Sequence, residues 1–304
     1  MSAPQQAMNN AGILTMGFGK PQYIEMAKSL ARSLMVHDPD VPRALVTDST
    51  DPELRALFTD MIEYRPEYGS NVRQKMYLDC YSPFSRTLFI DSDCLALRPL
   101  TAMWTAFEKV PFGVCGVRRL TRGESDEFLD VDFILNRFGL ECLPKFNGGI
   151  YYFDNSNESH ALFTTARELL NDAKALNFSD FRSDGPADEA LYSVAMAMHG
   201  LTVTDPGIHG MWTPINATGP ITIDVPKGVC RFEKQSRLLT PDIVHFATIT
   251  DSFTYLQECL KLECLTRNRP VSMTQLLRLR AEVAMMWLQR KASGLKRRML
   301  VPAS

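Results

Sequence analysis

The chain has 304 residues, of which 45% are hydrophobic and 22% are charged, and its formal net charge is −2 at pH 7. This composition is typical of a globular protein with a substantial core, and it excludes a disordered or fibrous chain. The nearly balanced charge provides no overall basic field, so we expect no nucleic-acid partner.

The cysteines and the first residues bear on the cellular compartment. Seven cysteines are scattered along the chain without a C-x-x-C pair, which predicts reduced thiols rather than a disulfide framework. The first ten residues are polar and lack the basic and apolar regions of a signal peptide. No apolar run reaches about 18 residues, the length that a membrane-spanning helix needs. We therefore expect a cytoplasmic protein.

The first third of the chain alternates between short apolar strands and amphipathic helices. Such alternation with short connections predicts an α/β protein, because each helix must bring the chain back across a parallel sheet. We expect a Rossmann-like, mostly parallel sheet flanked by helices. The predicted strands are 13–16, 44–48, 61–64 and 88–90, and the predicted helices are 21–35, a helix through Leu54 and Leu57, and 71–81.

The fourth strand leads directly into two aspartates. The uninterrupted apolar run Leu88–Ile90 is followed by Asp91, Ser92 and Asp93. In open α/β sheets, ligands bind at the carboxyl ends of the strands. Two carboxylates at such an end suit a divalent cation that carries a phosphorylated substrate. The stretch therefore predicts a metal and a nucleotide.

The regular alternation stops after these aspartates. A helix at 100–109 and a strand at 112–117 are followed by a mixed, charged segment, 118–145, which is either a lid or acceptor wall or a solvated amphipathic helix. Asn147 and two glycines then precede an aromatic strand. Residues without side chains permit a ligand to approach the backbone closely, although a tight turn would also explain them.

Two more polar features stand later in the chain. Asp188 and Glu189 open a helix at 187–198, where acidic residues also favour the helix dipole. His245 interrupts a short apolar strand, 243–246, and a single histidine in such a place is usually structural. Neither feature identifies a site by itself.

The end of the chain is basic. From residue 258 onwards there are ten Lys or Arg and three Glu, and residues 273–295 have an apolar side. This pattern predicts a helical appendage, residues 251–304, after a main domain of residues 11–250. The appendage either packs on the body or a partner chain, with a homo-oligomer as one outcome, or lies peripherally on an anionic membrane surface.

Four motifs in this order resemble the GT-A glycosyltransferases, and family eight most of all, which includes glycogenin and bacterial lipopolysaccharide galactosyltransferases. They are D-x-D at 91–93, F-N-G-G-I-x-x-F at 146–153, D-E at 188–189 and V-H-F at 244–246. The resemblance covers residues 11–250. It implies a metal-dependent transferase that moves a hexosyl group from a nucleotide diphosphate sugar, with a UDP-sugar as the first candidate, to a glycan or glycolipid acceptor, with retention.

The resemblance also implies a role for each motif residue. Asp91, Asp93 and His245 would hold Mn²⁺ or Mg²⁺. The catalytic residues at the transferred sugar would be Asn147, Asp188 and Glu189. The residues that would bind the nucleotide sugar are Thr15, Gly17, Lys75, Asp91, Ser92 and Gly148.

The sequence departs from the family pattern after its histidine. The family continues H-x-x-G-x-x-K, and its lysine contacts the diphosphate, whereas this chain has Thr248 and Asp251 at the glycine and lysine positions. Another cation would have to substitute, and Lys75, Arg118 and Lys145 are candidates. Three alternatives stay open: a catalytically degenerate sugar-nucleotide-binding protein, a sugar nucleotidyltransferase, and a phosphatase of the haloacid-dehalogenase type.

Overall fold

The structure is a computed structural model that describes residues 10–181 and 185–299. Its strands are β1 (Ala11–Met16), β2 (Arg43–Thr47), β3 (Asp60–Glu63), β4 (Arg86–Ile90), β5 (Cys94–Ala96), β6 (Phe112–Gly113), β7 (Gly116–Leu120), β8 (Leu143–Phe146), β9 (Ile150–Asp154), β10 (Met211–Trp212), β11 (Thr218–Asp224), β12 (Val229–Lys234), β13 (Arg237–Leu239) and β14 (Ile243–His245). Its α-helices are α1 (Pro21–His37), α2 (Leu54–Leu57), α3 (Leu78–Tyr81), α4 (Thr101–Phe107), α5 (Val131–Phe138), α6 (Asn157–Asn171), α7 (Asp188–Met198), α8 (Phe253–Thr266) and α9 (Met273–Met299).

A six-stranded sheet in the order β3-β2-β1-β4-β9-β6 forms the centre of the fold. β1 pairs in parallel with β2 and β4, and β2 pairs in parallel with β3. β9 runs antiparallel to both of its neighbours, β4 and β6. One strand of the six is therefore reversed, and the predicted mostly parallel α/β sheet is confirmed.

Helices cover both faces of this sheet, which explains the continuous apolar strands. Alternate residues of β4 point to opposite faces. Phe89 packs with residues of α6 and α7, such as Phe163 and Leu191. Leu88 and Ile90 pack with α1 and α4.

Local sequence accounts for several helix starts. α1 begins at Pro21, whose fixed backbone angle suits a first helical turn. The side chains of Asp130, Ser156 and Ser252 accept hydrogen bonds from backbone N–H groups at the starts of α5, α6 and α8. These caps satisfy groups that the helices leave unpaired.

The helix predicted at 71–81 is wrong in type. Asn71–Tyr77 forms a 3₁₀-helix, and only Leu78–Tyr81 is α-helical. The carbonyl oxygen of Lys75 accepts a hydrogen bond from the hydroxyl of Tyr192, and that of Met76 accepts one from Arg167. Side chains from α7 and α6 thus occupy backbone acceptors that the sequence assigns to an α-helical ladder.

The strand predicted at 112–117 is in fact two short strands in different sheets. β6 ends at Gly113, where an added Cβ would lie 2.4 Å from the ring of Phe107. The chain then leaves the central sheet, because the N–H of Gly116 donates to the carbonyl of Thr204. β7 pairs with β8 instead, and the amphipathic helix α5 lies between them in sequence.

Two further sheets follow, and one of them carries a motif residue. β14 pairs antiparallel with β5 and parallel with β10. β11, β12 and β13 form an antiparallel sheet in a region where the sequence predicts only frequent Gly and Pro.

The two C-terminal helices differ in burial. α8 packs against α1, with Tyr255 and Leu262 in the core. α9 turns one apolar stripe towards the body and leaves a second one exposed. No helix among the described residues is long and apolar enough to cross a membrane. The division at residue 250 stays a prediction. All seven cysteines are free.

Candidate active site

The reversed direction of β9 brings two motifs together. Ile90 of β4 is opposite Ile150 of β9. The residues that precede β9 therefore lie beside those that follow β4, and the N–H of Asp91 donates to the carbonyl of Gly149 at 2.9 Å. In a parallel pair, the same glycine would lie at the other end of the sheet.

β14 brings a distant histidine to the same place. His245 is opposite Cys94 in the antiparallel pair β14–β5, one residue after Asp93. The N–H of Phe246 donates to the carbonyl of Asp93 at 3.1 Å. A pairing across about half of the chain therefore places the imidazole next to the second aspartate.

The hydrogen bonds of His245 determine which of its ring nitrogens could bind a metal ion. Nδ1 lies 2.5 Å from Oδ1 of Asn147, which also accepts from the N–H of Gly149. Because an amide oxygen can only accept, Nδ1 carries the proton and Nε2 has its lone pair exposed to Asp93.

This arrangement fits a divalent cation. Nε2 of His245 lies 3.1 Å from Oδ1 of Asp93. That oxygen is buried and has no hydrogen-bond donor among the described residues. Burial is the largest single influence and lowers the pKa of His245, but the charges of Asp93 and Asp91 and the hydrogen bonding to Asp93 together raise it above the ordinary value. A proton and a cation thus compete for the same position, between an imidazole nitrogen and a carboxylate oxygen.

The two glycines before β9 are required by close packing. A Cβ at Gly149 would lie 2.6 Å from Nδ1 of His245, and one at Gly148 would lie 2.9 Å from Cγ of Glu189. Both contacts are far inside van der Waals distance. The glycines therefore let the histidine and the acidic start of α7 approach this loop.

Lys75 joins the two halves of the site. Its ammonium donates to Oδ2 of Asp91 at 2.8 Å and to Oδ2 of Asp188 at 2.9 Å. The hydroxyl of Tyr151 donates to the same oxygen of Asp188 at 2.7 Å. Burial lowers the pKa of Lys75, but the charges of Asp188 and Asp91 raise it more. The lysine therefore stays charged between the two carboxylates.

Two carboxyl groups have raised pKa values. Burial raises the pKa of Asp91 to about 6, against the opposing effect of Lys75. Burial, together with the charge of Asp188, raises the pKa of Glu189 to about 7. Glu189 accepts a hydrogen bond from the N–H of Gly148 at 2.8 Å. Such shifts are common among groups that act in catalysis.

These side chains surround two adjoining cavities of ≈ 230 and ≈ 180 Å³ at the carboxyl edge of the sheet. The residues that line both are Val72, Lys75, Asp91, Asp93 and Phe181. The larger cavity is otherwise lined by Met16, Phe18, Tyr23, Met26, Phe89 and Ser92. The lining of the smaller cavity includes Phe128, Asn147, Gly148, Asp188, Glu189, His245 and Thr248.

Two residues predicted for donor binding do not reach these cavities. Thr15 is buried within β1, and Gly17 packs against α1. Met16 and Phe18 line the larger cavity instead. Because side chains alternate along a strand, Thr15 and Met16 point to opposite faces.

The cations proposed to replace the missing lysine are already paired. Arg118 is exposed and pairs with Glu124 at 3.1 Å. Lys145 pairs with Asp126 at 2.6 Å. Among the side chains that the structure describes, Lys75 is the only Lys or Arg that lines either cavity.

Sequence reasoning missed Tyr151 and Cys94. Tyr151 lies in the aromatic strand directly after the glycines, so its position was visible but its partner Asp188 was not. Cys94 directly follows the D-x-D motif, and its sulfur, Asp93 and His245 have ligand atoms within 4.8 Å of one another.

Comparison with solved structures identifies the fold. The galactosyltransferase LgtC, in a structure described as a complex with donor and acceptor sugar analogs, matches with a TM-score of 0.52 at 12% identity, over 88% of this chain and 99% of that one. An active-site mutant of LgtC matches with a TM-score of 0.50 at 15% identity, over 77% of this chain and 86% of that one. No family model matches the sequence, and no curated protein matches it significantly.

The chain therefore has the GT-A glycosyltransferase fold, as the motifs predict. Within that class, its structure is similar to LgtC, a galactosyltransferase of family eight. At identities this low, the likeness establishes the fold and leaves the chemistry to be argued from the site.

Proposed function

We propose that the protein is a metal-dependent glycosyltransferase that moves a hexosyl group from a nucleotide diphosphate sugar to a glycan or glycolipid acceptor, with retention. A UDP-sugar is the first candidate donor. The observation that supports this most strongly is the convergence of four separate motifs on two adjoining cavities at the carboxyl edge of the sheet.

The two cavities differ in a way that suits the two parts of a donor. The larger one has apolar and aromatic walls, including Phe18, Tyr23 and Phe89, which suit a nucleotide base. The smaller one has polar groups, including Asn147, Asp188 and Glu189, which suit sugar hydroxyls. Asp91 and Asp93 lie on the wall that both share, where the diphosphate would bind.

Asp91, Asp93 and His245 would hold Mn²⁺ or Mg²⁺. Bound there, the cation would neutralise the charge that develops on the leaving diphosphate. Asn147 orients the imidazole by accepting the Nδ1 proton, so Nε2 can serve as a ligand. Lys75 pairs with both Asp91 and Asp188, so it would fix the position of the metal ligand Asp91 relative to the sugar-binding residue Asp188.

The two carboxylates of α7 have different freedom. Oδ2 of Asp188 accepts from both Lys75 and Tyr151, so it is suited to hold a sugar in a fixed orientation. Glu189 makes one backbone hydrogen bond and is the freer of the two. We assign to Glu189 the role of stabilising positive charge at the anomeric carbon.

For the acceptor side, we propose that α9 contacts an anionic membrane surface. Its exposed apolar stripe contains Leu277, Met285 and Leu288. Arg280 and Lys291 flank this stripe at helical spacing. Basic residues beside an exposed apolar face are typical of helices that lie in the membrane interface. Deletion of residues 273–304 should abolish salt-sensitive binding to anionic liposomes in a flotation assay; undiminished binding would contradict it.

The function is tested with the full-length protein, Mn²⁺ and a panel of UDP- and GDP-sugars. We expect one donor to raise the thermal unfolding temperature in the presence of Mn²⁺ and to release its nucleotide slowly in water and faster with an acceptor. If no donor binds when Mn²⁺ is present, the proposal is wrong.

A second candidate is a sugar-nucleotide-binding protein without turnover. It is favoured by Asp251 at the position of the family lysine and by the pairing of Lys75 with two carboxylates. The same experiment separates the two candidates, because this one predicts thermal protection by a donor without nucleotide release.

A further inference from the structure

Cys94 lies beside the candidate metal site although no motif includes it. It is the first residue of β5 and fully buried. Its cross-strand partner is His245, and directly opposite residues of an antiparallel pair project to the same face. The sequence neighbour Asp93 completes a cluster in which one oxygen, one sulfur and one nitrogen atom lie within 4.8 Å of one another.

Asp91 and Cys94 are alternative third ligands for Asp93 and His245, and each already has a polar contact. The thiol of Cys94 lies 3.8 Å from the carbonyl oxygen of Gly149. The Oδ2 atom of Asp91 accepts a hydrogen bond from Lys75 at 2.8 Å and lies 4.0 Å from Nε2 of His245. A ligand set with Asp91 has two carboxylates and one imidazole, as a hard cation prefers. A ligand set with Cys94 has one carboxylate, one imidazole and one thiolate, as zinc prefers.

The distances suit a small tetrahedral centre. Zinc bonds of about 2.0–2.3 Å imply ligand atoms about 3.3–3.6 Å apart. Oδ1 of Asp93 and Nε2 of His245 already lie 3.1 Å apart with facing lone pairs. The sulfur of Cys94 lies within 4.8 Å of ligand atoms of both residues, so an approach of about 1 Å would complete the centre.

We propose that Asp93, Cys94 and His245 form a second metal-binding mode that takes a thiophilic divalent cation such as Zn²⁺ and competes with the hard cation at Asp91, Asp93 and His245. Binding forms a metal–sulfur bond and releases the thiol proton to solvent, without any change of oxidation state. Only the competition rests on the proposed function, because the thiophilic mode needs no donor.

The competition has a direction. For a given site, Zn²⁺ binds more tightly than Mn²⁺ in the general order of divalent metals, and a sulfur ligand adds to this preference. Cys94 lines neither cavity, whereas Asp91 lines both. Zn²⁺ held by the sulfur is therefore drawn away from the diphosphate position, and it should inhibit turnover that Mn²⁺ supports.

Co²⁺ provides a spectroscopic probe of the sulfur ligand in the full-length, reduced, metal-free protein. We expect one equivalent of Co²⁺ to produce a thiolate-to-cobalt charge-transfer band in the near ultraviolet, and Zn²⁺ to abolish it. Cys94→Ser should remove the band and weaken Co²⁺ binding by more than the roughly 100-fold that loss of an outer ligand partner can cost. Cys115→Ser is the matched control, a buried thiol that does not belong to the ligand cluster, and should keep the band.

Two results would overturn the proposal: wild-type protein that binds Co²⁺ without a charge-transfer band, or a band that persists in Cys94→Ser. Cys94→Ala provides a second variant if Cys94→Ser unfolds. Mn²⁺ binding is measured separately, from the loss of the free-ion paramagnetic resonance signal. Failure of Mn²⁺ and donor binding with an intact cobalt band would reject the proposed transferase and keep this inference.

Discussion

Largely buried aspartates lie at both ends of the central sheet, but their charges are balanced at only one end. A cavity of ≈ 570 Å³, larger than either cavity of the candidate active site, lies at the amino edge of β4, beside Asp79 and His160. There Asp79 accepts from Arg167 at 2.8 Å and from His160 at 3.1 Å, so its charge is balanced by one arginine. At the carboxyl edge, one lysine is shared between two aspartates, and a third carboxylate has no donor on its buried oxygen. Cavity size thus fails to mark the site, whereas an excess of buried negative charge does, because such charge requires a cation.

Among the variants considered, replacement of Lys75 should cause the largest loss of stability and turnover. Lys75→Met leaves Asp91 and Asp188 without their shared cation, and removal of one partner from a buried ion pair costs about 3–5 kcal/mol. We expect this loss in the free energy of unfolding at pH 8, together with loss of turnover. At pH 5 the loss should be smaller, because a carboxyl whose pKa is already raised, such as Asp91 at about 6, takes up a proton.

Lys28→Met is the matched control, since Lys28 is a buried lysine that pairs with Glu25, Asp51 and Glu53 outside both cavities. Urea unfolding should show a loss of stability for it too, while the folded fraction keeps its turnover. Normal turnover in folded Lys75→Met would show that the lysine is not needed at the site.

Equivalent changes to one aspartate at each edge should separate function from stability. Asp93→Asn removes a proposed metal ligand and should lower Mn²⁺-dependent nucleotide release by about 10²–10³-fold, the loss typical of one electrostatic group at a reacting centre. Asp79→Asn weakens the pair with Arg167 and should cost about 1–3 kcal/mol of stability without changing turnover. Full metal-dependent turnover in Asp93→Asn would mean that the ligand assignment is wrong.

The pH dependence of Glu189 should give an intermediate effect. If its ionised form stabilises the anomeric carbon, kcat/KM should fall as pH drops below about 7, the raised pKa of Glu189. Ionisation costs folding energy, since the folded pKa lies above the ordinary value of 4.5. Stability contributed by the neutral group is therefore lost as pH rises from 4.5 through 7.

Glu189→Gln should remove both dependences. It should gain about 1–3 kcal/mol of stability at pH 8 and none at pH 4, because glutamine stays neutral throughout. It should also lower turnover at pH 8. A wild-type pH profile that survives in Glu189→Gln would assign the titration to another group.

The smallest effect is expected from His160→Ala at the amino edge. The imidazole is nearly half exposed, and Asp79 keeps Arg167 as its partner. The variant should lose about 0.5 kcal/mol or less, and donor binding should not change in a thermal-shift titration. Reduced donor binding would mean that the ≈ 570 Å³ cavity at the amino edge takes part in recognition.

The sequence predicted what depends on short-range pattern. Apolar runs followed by amphipathic segments indicated the α/β sheet, and the aspartates after Leu88–Ile90 indicated a ligand site at a strand end. The sequence pattern predicted the wrong helix type at Asn71–Tyr77, where side chains from distant helices hydrogen-bond to the backbone carbonyl groups. Pattern also did not reveal which side chain of the buried strand β1 borders the larger cavity, which Met16 lines and Thr15 does not.

Local pattern was sufficient for most of the central α/β elements and for the residue types suited to a metal, a diphosphate and a sugar. Which of these residues meet depends on the pairing of strands that are distant in the chain. The reversal of β9 places Gly149 beside Asp91, and the pairing of β14 with β5 places His245 beside Asp93 and Cys94. Strand direction and partner choice depend on packing between segments far apart in the chain, and periodicity within a segment carries no record of either.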